Sequence, residues 1–295
     1  MDRLHSFTRK NKSGPYPAGT LLLVIPGAAP SAPYRRLAVG PLLFFLSFTA
    51  GLAQEQEKLQ TDSTEIVSHF SGNIFLTQNG ISLVPTFSLD KPAVMFLLSM
   101  GKKRLTFEPD IRFSLEGKPW SMLLWWRYKL VQNNKFSLRL GAHPGFNFRT
   151  IPAISNGKSK EVIETRRFLA GEVVPTYTIS PNIKVGLYYL YSQGFDDSQK
   201  YTHFLVLNSA FPTINLSKQY RLGVFPNVFY LRLDELDGFY ASSTFRLQRK
   251  DFPLFLESIV NQKIRTNILP ERGFVWNVSL VYSFNKQYVE GRLRY

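Results

Sequence analysis

The residues of this sequence best suited to chemistry are a histidine and a serine two positions apart. His69 and Ser71 would lie on one face of a β-strand, because successive side chains of a strand point to opposite faces. A serine beside a histidine forms an activated nucleophile when a third residue orients the histidine, and Glu65 lies on the same face. Any histidine and serine at this spacing match the pattern. A lipid hydrolase built on a β-barrel, with His69 and Ser71 in its active site, is therefore kept only as an alternative function.

Metal and cofactor chemistry finds little support in the sequence. The chain has four histidines and no cysteine, and no metal-ligand spacing of the usual kind occurs. His143 stands in a polar register between Arg139 and Asn147, where a structural histidine in a hydrogen-bonded network is the more common outcome. We therefore expect no metal site, no cofactor and no catalytic residue, and we expect that the protein is not an enzyme.

These residues belong to segments in which apolar and polar side chains alternate with period two. The apolar residues between Leu105 and Leu115 alternate with charged or hydroxyl-bearing ones, and Trp120–Leu130, Phe136–Phe148 and Phe274–Phe284 repeat the pattern. Weaker copies are Ile81–Leu89, Val94–Met100, Arg167–Ile179, Ile183–Tyr191, Tyr201–Phe211, Tyr220–Arg232, Phe239–Leu247 and Leu254–Ile264. With a strand before Gln78, the pattern predicts an all-β protein of about 12 strands, in the range of roughly 10–14.

The connections between these segments contain turn-forming residues. Gln78-Asn79-Gly80 predicts a tight hairpin, because Asn-Gly adopts the backbone angles that a two-residue turn requires. Longer polar stretches at 155–165, 194–200 and 261–273 predict loops.

The start of the chain carries the pattern of a secretory signal. Arg35 and Arg36 precede the apolar run Leu37–Phe48. Mostly small residues follow it, with Gly51 and Ala53 at the third and the first position before the predicted cleavage site. An N-terminal membrane anchor is the alternative, although the run is short for a helix that needs about 20 residues. We predict a leader at 1–53, a polar linker at 54–64 and one domain at 65–295.

Composition agrees with an exported protein. The 295 residues are 44% hydrophobic, 15% aromatic and 19% charged, with a formal net charge of +15. The hydrophobic fraction excludes a disordered basic tail, and the absence of cysteine excludes a disulfide scaffold. The leader contains six basic residues and one acidic residue, so its removal lowers the charge. An exported protein does not meet chromosomal DNA, and we expect no nucleic-acid partner.

Strand length distinguishes a soluble sandwich from a membrane barrel. The best alternating segments are at or above the ~9–11 residues that a tilted transmembrane strand needs, whereas sandwich strands usually have about five or six. Trp120 lies near one end of its segment and Trp126 and Tyr128 near the other, as in the aromatic belts of membrane proteins. We predict a closed antiparallel transmembrane β-barrel, with a soluble periplasmic β-sandwich binding module as the alternative.

Over about Gly72–Tyr295 this alternation resembles that of the outer-membrane β-barrel proteins of diderm bacteria. The resemblance implies an outer-membrane location, contacts with outer-membrane lipids, and an aromatic C-terminal residue that the barrel-insertion machinery reads. That residue is Tyr295 or Phe284: either a charged tail follows Phe284, or Tyr288–Tyr295 is itself the closing strand. The predicted lipid-facing aromatic residues are Trp120, Trp126, Tyr128, Phe274, Trp276, Tyr282 and Phe284.

The polar faces of a barrel would enclose a lumen of mixed, net basic charge. An open lumen of this kind would make a small pore that favours anions. A lumen of about 12 strands is narrow enough for side chains to fill, which slightly favours a structural barrel with paired charges. The predicted lumen-facing residues are Arg104, Glu108, Asp110, Arg112, Arg127, Lys129, Arg139, His143, Arg149, Glu172 and Lys184.

Prolines recur in the apolar register of the predicted strands. Proline lacks the N–H that a strand ladder uses, and a closed barrel offers no free edge to place it. The prolines therefore predict either bulges within spanning strands or strands that break there. They are Pro85, Pro109, Pro144, Pro175 and Pro226.

Overall fold

The structure is a computed structural model that describes residues 67–81, 88–155, 158–196, 199–269 and 272–289. The predicted leader and linker, and with them Glu65, lie outside the described residues, as do Pro85 and Tyr295. The described residues contain no helix long and apolar enough to span a membrane.

Twelve strands account for most of the described chain, as the alternating pattern predicts. They are β1 Val67–Thr77, β2 Ala93–Lys102, β3 Leu105–Ser114, β4 Pro119–Gln132, β5 Phe136–Ser155, β6 Lys158–Ser180, β7 Ile183–Gly194, β8 Tyr201–Asn215, β9 Tyr220–Leu233, β10 Leu236–Arg249, β11 Leu254–Thr266 and β12 Phe274–Val289.

The strands form one closed antiparallel barrel in which each strand pairs with its neighbours in sequence. Closure is made by β1 and β12, whose register runs from Val67 opposite Val289 to Thr77 opposite Ser279. The predicted closed barrel is confirmed, and the sandwich alternative is wrong because a single sheet closes on itself. β12 continues without interruption past Phe284 to Val289, so Phe284 is not the end of the last strand.

The two ends of the barrel differ in the length of their connections. At one end, here the short-turn end, the connections are 103–104, 133–135, 181–182, 216–219 and 250–253. β1 also begins there and β12 ends there. At the other end, the long-loop end, lie the longer connections 78–92, 195–200 and 267–273, together with the short ones 115–118 and 234–235. This asymmetry is the arrangement seen in transmembrane barrels, whose turns are short on one side of the membrane.

The first connection differs from its prediction. Gln78-Asn79-Gly80 does not form a tight hairpin, because the chain runs on to β2 at Ala93. The Gly80 amide donates to the Lys91 carbonyl at 2.9 Å, and the Leu89 amide donates back to the Gly80 carbonyl at 2.7 Å. Ile81 and Leu89 belong to no strand, and the rest of the predicted strand between them lies outside the described residues.

Of the five prolines predicted in mid-strand, the four that the structure describes interrupt the ladder on one side only. Pro109 is paired with Leu124 of β4, whereas the ladder between β2 and β3 skips Pro109 and Glu108. The same one-sided gap occurs at Pro144 toward β4, at Pro175 toward β7 and at Pro226 toward β8. Each strand continues past its proline, because the missing N–H removes bonds to one neighbour while the other ladder holds. Broken strands are therefore excluded at these four positions.

Alternation of burial separates the two surfaces of the barrel, with one departure. Trp126 is 53% exposed on the outside, whereas Trp120, predicted to face lipid, is 1% exposed inside the barrel. The register explains the difference: Arg112 pairs with Ser121 and Phe113 with Pro119, which leaves Trp120 as an extra, unpaired residue in β4. A bulge of this kind re-aims a side chain, and the regular alternation does not reveal it.

Candidate functional site

The interior of the barrel contains a compact ionic cluster centred on Arg127 of β4. Its Nε and Nη2 donate to the two carboxylate oxygens of Glu172 on β6, at 2.8 and 3.2 Å. Nη1 donates to Glu108 of β3, which also accepts a 2.9 Å hydrogen bond from the Thr106 hydroxyl. One guanidinium thus joins two carboxylates from opposite sides, in the bidentate geometry that makes arginine pairs strong.

Glu172 is the most enclosed member of this cluster. Its side chain has no solvent exposure, and Arg139 Nε lies 3.2 Å from its Oε1. The Tyr188 hydroxyl of β7 donates to its Oε2 at 2.9 Å. Gly141 stands directly opposite on β5, and a Cβ at that glycine would lie 2.8 Å from Glu172 Cγ. The absence of a side chain at Gly141 therefore makes room for the carboxylate.

Aromatic rings cover the ionic cluster inside the barrel. The guanidinium carbon of Arg127 lies 4.2 Å from the centre of the Trp125 ring, within the range of a cation–π interaction. The His143 ring lies 4.0 Å from Trp125 and meets Phe168 edge-on at 5.5 Å. Phe168 in turn occupies the space over Gly145, where a Cβ would approach its ring to 2.2 Å.

Some inward polar atoms near these rings have no protein partner. His143 Nδ1 lies 3.1 Å from the carbonyl of Pro144, whereas His143 Nε2 and both side-chain amide atoms of Asn147 are buried without a hydrogen bond within the described chain. Buried polar groups of this kind are usually satisfied by internal water. The arrangement supports a structural role for His143, which stays a prediction.

Two further ion pairs lie inside the barrel. Asp110 accepts hydrogen bonds from Arg112, two residues along β3, at 2.7 and 2.5 Å. On the opposite wall, Arg246 of β10 donates to Glu257 of β11 at 3.0 and 2.7 Å. The Arg246 guanidinium also lies 4.6 Å from the centre of the Phe255 ring. The lumen therefore has paired charges on two walls.

The short-turn end opens into a cavity of about 760 Å³. Its lining extends from the turn residues Lys135 and Pro181 to Trp125 and Arg127 in the interior. Five cations and two carboxylates line it: Arg127, Lys129, Lys135, Arg139, Lys184, Glu108 and Asp110. Neutral polar residues complete the wall, among them Ser99, Thr178, Ser180, Asn285 and Gln287.

The structure thus places the predicted lumen-facing residues in three settings. Glu108, Asp110, Arg112, Arg127, His143 and Glu172 belong to the interior clusters, and Lys129, Arg139 and Lys184 line the cavity. Arg149 is half-buried near the long-loop end. Arg104 departs from the prediction: it occupies the β2–β3 turn, is exposed, and donates to the Leu130 carbonyl at 3.3 Å. A turn residue lies beyond the alternation on which the prediction rests.

The predicted lipid-facing aromatic residues, apart from Trp120, lie on the outer surface. Trp126 and Tyr128 are exposed near the short-turn end of β4, and Phe274 and Trp276 are exposed at the long-loop end of β12. Tyr282 is exposed and Phe284 is half-exposed farther along β12.

The candidate nucleophile and base are arranged differently from the sequence hypothesis. His69 Nε2 lies 3.0 Å from the hydroxyl of Ser99 on β2, while Ser71 is fully buried. Both His69 and Ser99 line the cavity at the short-turn end. Glu65, the proposed orienting residue, lies outside the described residues. The pairing of β1 with β2, in which Ser71 stands opposite Ser99, could not be read from the spacing of His69 and Ser71.

Several residues of the interior clusters carry little or no signal in the sequence. Trp125 lies two residues before Arg127, on the same predicted inward face of the strand. Of these residues it alone could be suspected from the sequence, because an inward tryptophan beside an arginine suggests that the guanidinium stacks on the ring. Tyr188, Gly141, Arg246 and Glu257 carry no signal by themselves. Their roles depend on which strand lies beside which.

Charges at the long-loop end are also paired. Arg167 donates to Asp196 from its backbone amide at 2.6 Å and from Nη2 at 2.7 Å. These hydrogen bonds lower the pKa of Asp196 below its ordinary value of 3.8. Arg166 pairs with Glu164 at 2.9 Å. In the described part of the chain, no group of three histidine, aspartate or glutamate residues could hold a metal ion.

Comparisons with known proteins give a likeness of fold. No protein-family model matches the chain, and no curated protein sequence matches it. Among solved structures, the chain is similar to the KdgM porin in complex with disordered oligogalacturonate, with 14% identity and a TM-score of 0.44 over 72% of this chain and 99% of that one. It is also similar to the NanC porin, with 11% identity and a TM-score of 0.43 over 74% and 99%. The outer-membrane protein OmpT of Vibrio cholerae gives 7% identity and a TM-score of 0.38 over 77% and 100%. At these identities the likeness is one of fold alone.

Proposed function

We propose that this protein is an integral outer-membrane β-barrel whose lumen is closed by side chains at mid-height. Its function would then be that of a structural barrel rather than an open pore or an enzyme. Its outer surface would contact outer-membrane lipids. The barrel-insertion machinery would read the aromatic residue Tyr295 and not Phe284, because β12 continues past Phe284.

The outer surface supports the membrane location. Large apolar side chains remain exposed around the barrel, for example Leu205 and Leu207 on β8, Val228 on β9 and Val278 and Leu280 on β12. A soluble protein rarely exposes a continuous apolar surface of this extent. Lipid covers such a surface at no cost, because both are apolar.

Aromatic side chains at both ends of the outer surface support the same conclusion. Near the short-turn end, the exposed rings include Trp126, Tyr128, Tyr177 and Phe245. Near the long-loop end they include Tyr189, Tyr191, Tyr201, Phe239, Phe274 and Trp276. Tyrosine and tryptophan favour the two interfaces between membrane and water, where one side of the ring is wet and the other is apolar. The short-turn end would then face the periplasm.

The observation that carries the closed lumen is the side-chain layer around Arg127. Trp125, Phe168 and Tyr188 surround its ion pair with Glu172, and each is no more than 2% exposed. Across the barrel, Phe204, Phe229, Leu231 and Tyr240 are no more than 3% exposed. An open pore would leave inward side chains in contact with solvent, whereas these pack on one another.

The small-pore alternative has one supporting observation, which is the cavity at the short-turn end. Its charges are mixed and net basic, so a path that continued through the barrel would favour anions. The cavity, however, has Trp125 and Arg127 among its innermost lining residues, and both belong to the packed layer. We therefore favour the structural barrel.

Cell fractionation combined with gel migration tests the membrane barrel. The native protein should remain in the outer-membrane fraction after carbonate washing, and unheated samples should migrate faster than heated ones because the closed barrel resists detergent. A soluble periplasmic protein would contradict the proposal. The hydrolase alternative requires esterase or phospholipase activity that is lost in Ser71→Ala or Ser99→Ala, and we expect no such activity.

A further inference from the structure

The cavity at the short-turn end has more positive charge than its own carboxylates neutralise. We name it the basic vestibule and define it by Lys129, Lys135, Arg139 and Lys184. Arg127 is engaged by Glu108 and Glu172, and Arg139 shares Glu172. Within the described residues, Lys129, Lys135 and Lys184 make no ion pair. Three ammonium groups therefore face the same open cavity without an ion-pair partner of their own.

The strand register places two of these cations in opposition. Lys129 of β4 stands directly across the ladder from Arg139 of β5. Like charges at directly opposed positions destabilise a sheet, and Glu172 offsets only the arginine. A bound anion would offset both charges at once. The arrangement therefore favours the barrel with an anion present over the barrel without one.

The remaining wall of the vestibule is suited to the oxygens of such an anion. Hydroxyl and amide side chains from several strands line it, including Ser99, Thr178, Ser180, Asn285 and Gln287. These groups can donate hydrogen bonds to phosphate or carboxylate oxygens while the lysines supply the charge. A volume of about 760 Å³ lies within the usual range for small-molecule sites, roughly 300–1,000 Å³.

From these observations we propose that the basic vestibule binds a polyvalent anionic solute, one with two or more phosphate or carboxylate groups. Lys129 and Lys184 bind its charged groups, and Lys135 attracts it at the mouth. The inference rests on the proposed function in one respect, since it requires the folded barrel. It does not require a conducting pore, because the vestibule ends at the closed layer.

Calorimetric titration of the purified full-length mature chain in detergent micelles tests the proposal. Sodium pyrophosphate and sodium citrate are the probes, each compared with sodium chloride at equal ionic strength. We expect saturable binding of at least one probe; pyrophosphate alone would indicate a phosphate ligand and citrate alone a carboxylate ligand. The Lys129→Gln/Lys184→Gln double variant should bind about tenfold or more weakly, because hydrogen bonds to charged groups each contribute roughly that factor. Lys218→Gln, in an exposed turn at the same end, is the matched control and should bind like the wild type.

A second measurement uses the wild-type protein and so does not depend on the folding of a variant. Pyrophosphate or citrate should slow the acetylation of Lys129 and Lys184, followed by mass spectrometry, and should leave Lys218 and Lys250 unaffected. Equal binding by the double variant, or no protection of Lys129 and Lys184, would overturn the inference. A chain without heat-modifiable migration contradicts the proposed barrel, whereas a heat-modifiable barrel that binds neither probe contradicts this inference alone.

Discussion

Arg127 and Glu172, 45 residues apart in sequence, form a two-point ion pair across the interior of the barrel, with N–O distances of 2.8 and 3.2 Å. Both side chains are almost completely withdrawn from solvent. A buried pair of this kind is costly to break, because removal of one partner leaves the other as an uncompensated charge. The pair lies in the layer that we propose closes the lumen.

Replacement of Arg127 by methionine should therefore destabilise the barrel strongly. The variant leaves Glu172 and Glu108 without their shared cation, and we expect a loss of about 3–5 kcal/mol in the free energy of unfolding. Urea titration followed by the shift in gel migration measures it. Arg104→Met is the matched control: Arg104 lies in an exposed turn and should change stability by less than about 0.5 kcal/mol. A similar small loss in both variants would contradict the role of the ion pair.

Gly145 should tolerate no side chain while Phe168 is present. A Cβ at Gly145 would lie 2.2 Å from the Phe168 ring, so Gly145→Ala must displace the ring from the packed layer. We expect a loss of about 1–3 kcal/mol, typical of overpacking in a core. Addition of Phe168→Leu should recover part of that loss. Gly273→Ala, where a Cβ meets none of the described atoms within 4 Å, is the control and should be close to neutral.

Asn277 should hold the start of the long β1–β2 connection. Its Nδ2 donates to the Thr77 hydroxyl at 3.3 Å and to the Asn79 carbonyl at 3.2 Å, while its Oδ1 accepts from the Ile259 amide at 2.9 Å. In Asn277→Ala we expect faster amide hydrogen exchange at Gly80. Asn285 lies on the same strand and makes none of these contacts. Asn285→Ala should therefore leave the hydrogen exchange of the Gly80 amide unchanged. Unaltered exchange in Asn277→Ala would show that the connection is held by other contacts.

The Asp196–Arg167 contact should make the β7–β8 loop sensitive to acid. Because Arg167 lowers the pKa of Asp196 in the folded state, this contact stabilises the loop above the unfolded pKa. That stabilisation is lost as the pH falls from 3.8, the ordinary pKa of the carboxyl group, through the lower pKa that Asp196 has in the folded protein. The protection factor of the Arg167 amide, whose N–H donates to Asp196, should fall over that range at low ionic strength. This factor is the intrinsic exchange rate at each pH divided by the observed rate. Asp196→Asn should abolish the fall, and an equal fall in that variant would contradict the role of the contact.

The regular alternation of the chain is sufficient to predict the barrel and the two faces of its most regular segments. The predicted segment Leu105–Leu115 corresponds to β3, Leu105–Ser114, whose even-numbered residues turn inward, because strand geometry fixes the face of each side chain locally. Trp120 could not be predicted, since its orientation depends on a bulge set by the partner strand. The pairing of Arg127 with Glu172 depends likewise on the registers between β4 and β5 and between β5 and β6. The role of Gly141 can be recognised only when Glu172 is known to lie opposite it.

The most direct test of the central claim is the conductance of the purified wild-type protein in planar lipid bilayers. Insertion is established first, by flotation of the protein with liposomes and by its heat-modifiable migration after recovery from them. With insertion established, the closed layer around Arg127 predicts no stepwise increase in current in either polarity. Stable, reproducible conductance steps from the inserted wild-type barrel would contradict the closed lumen and identify the protein as a pore.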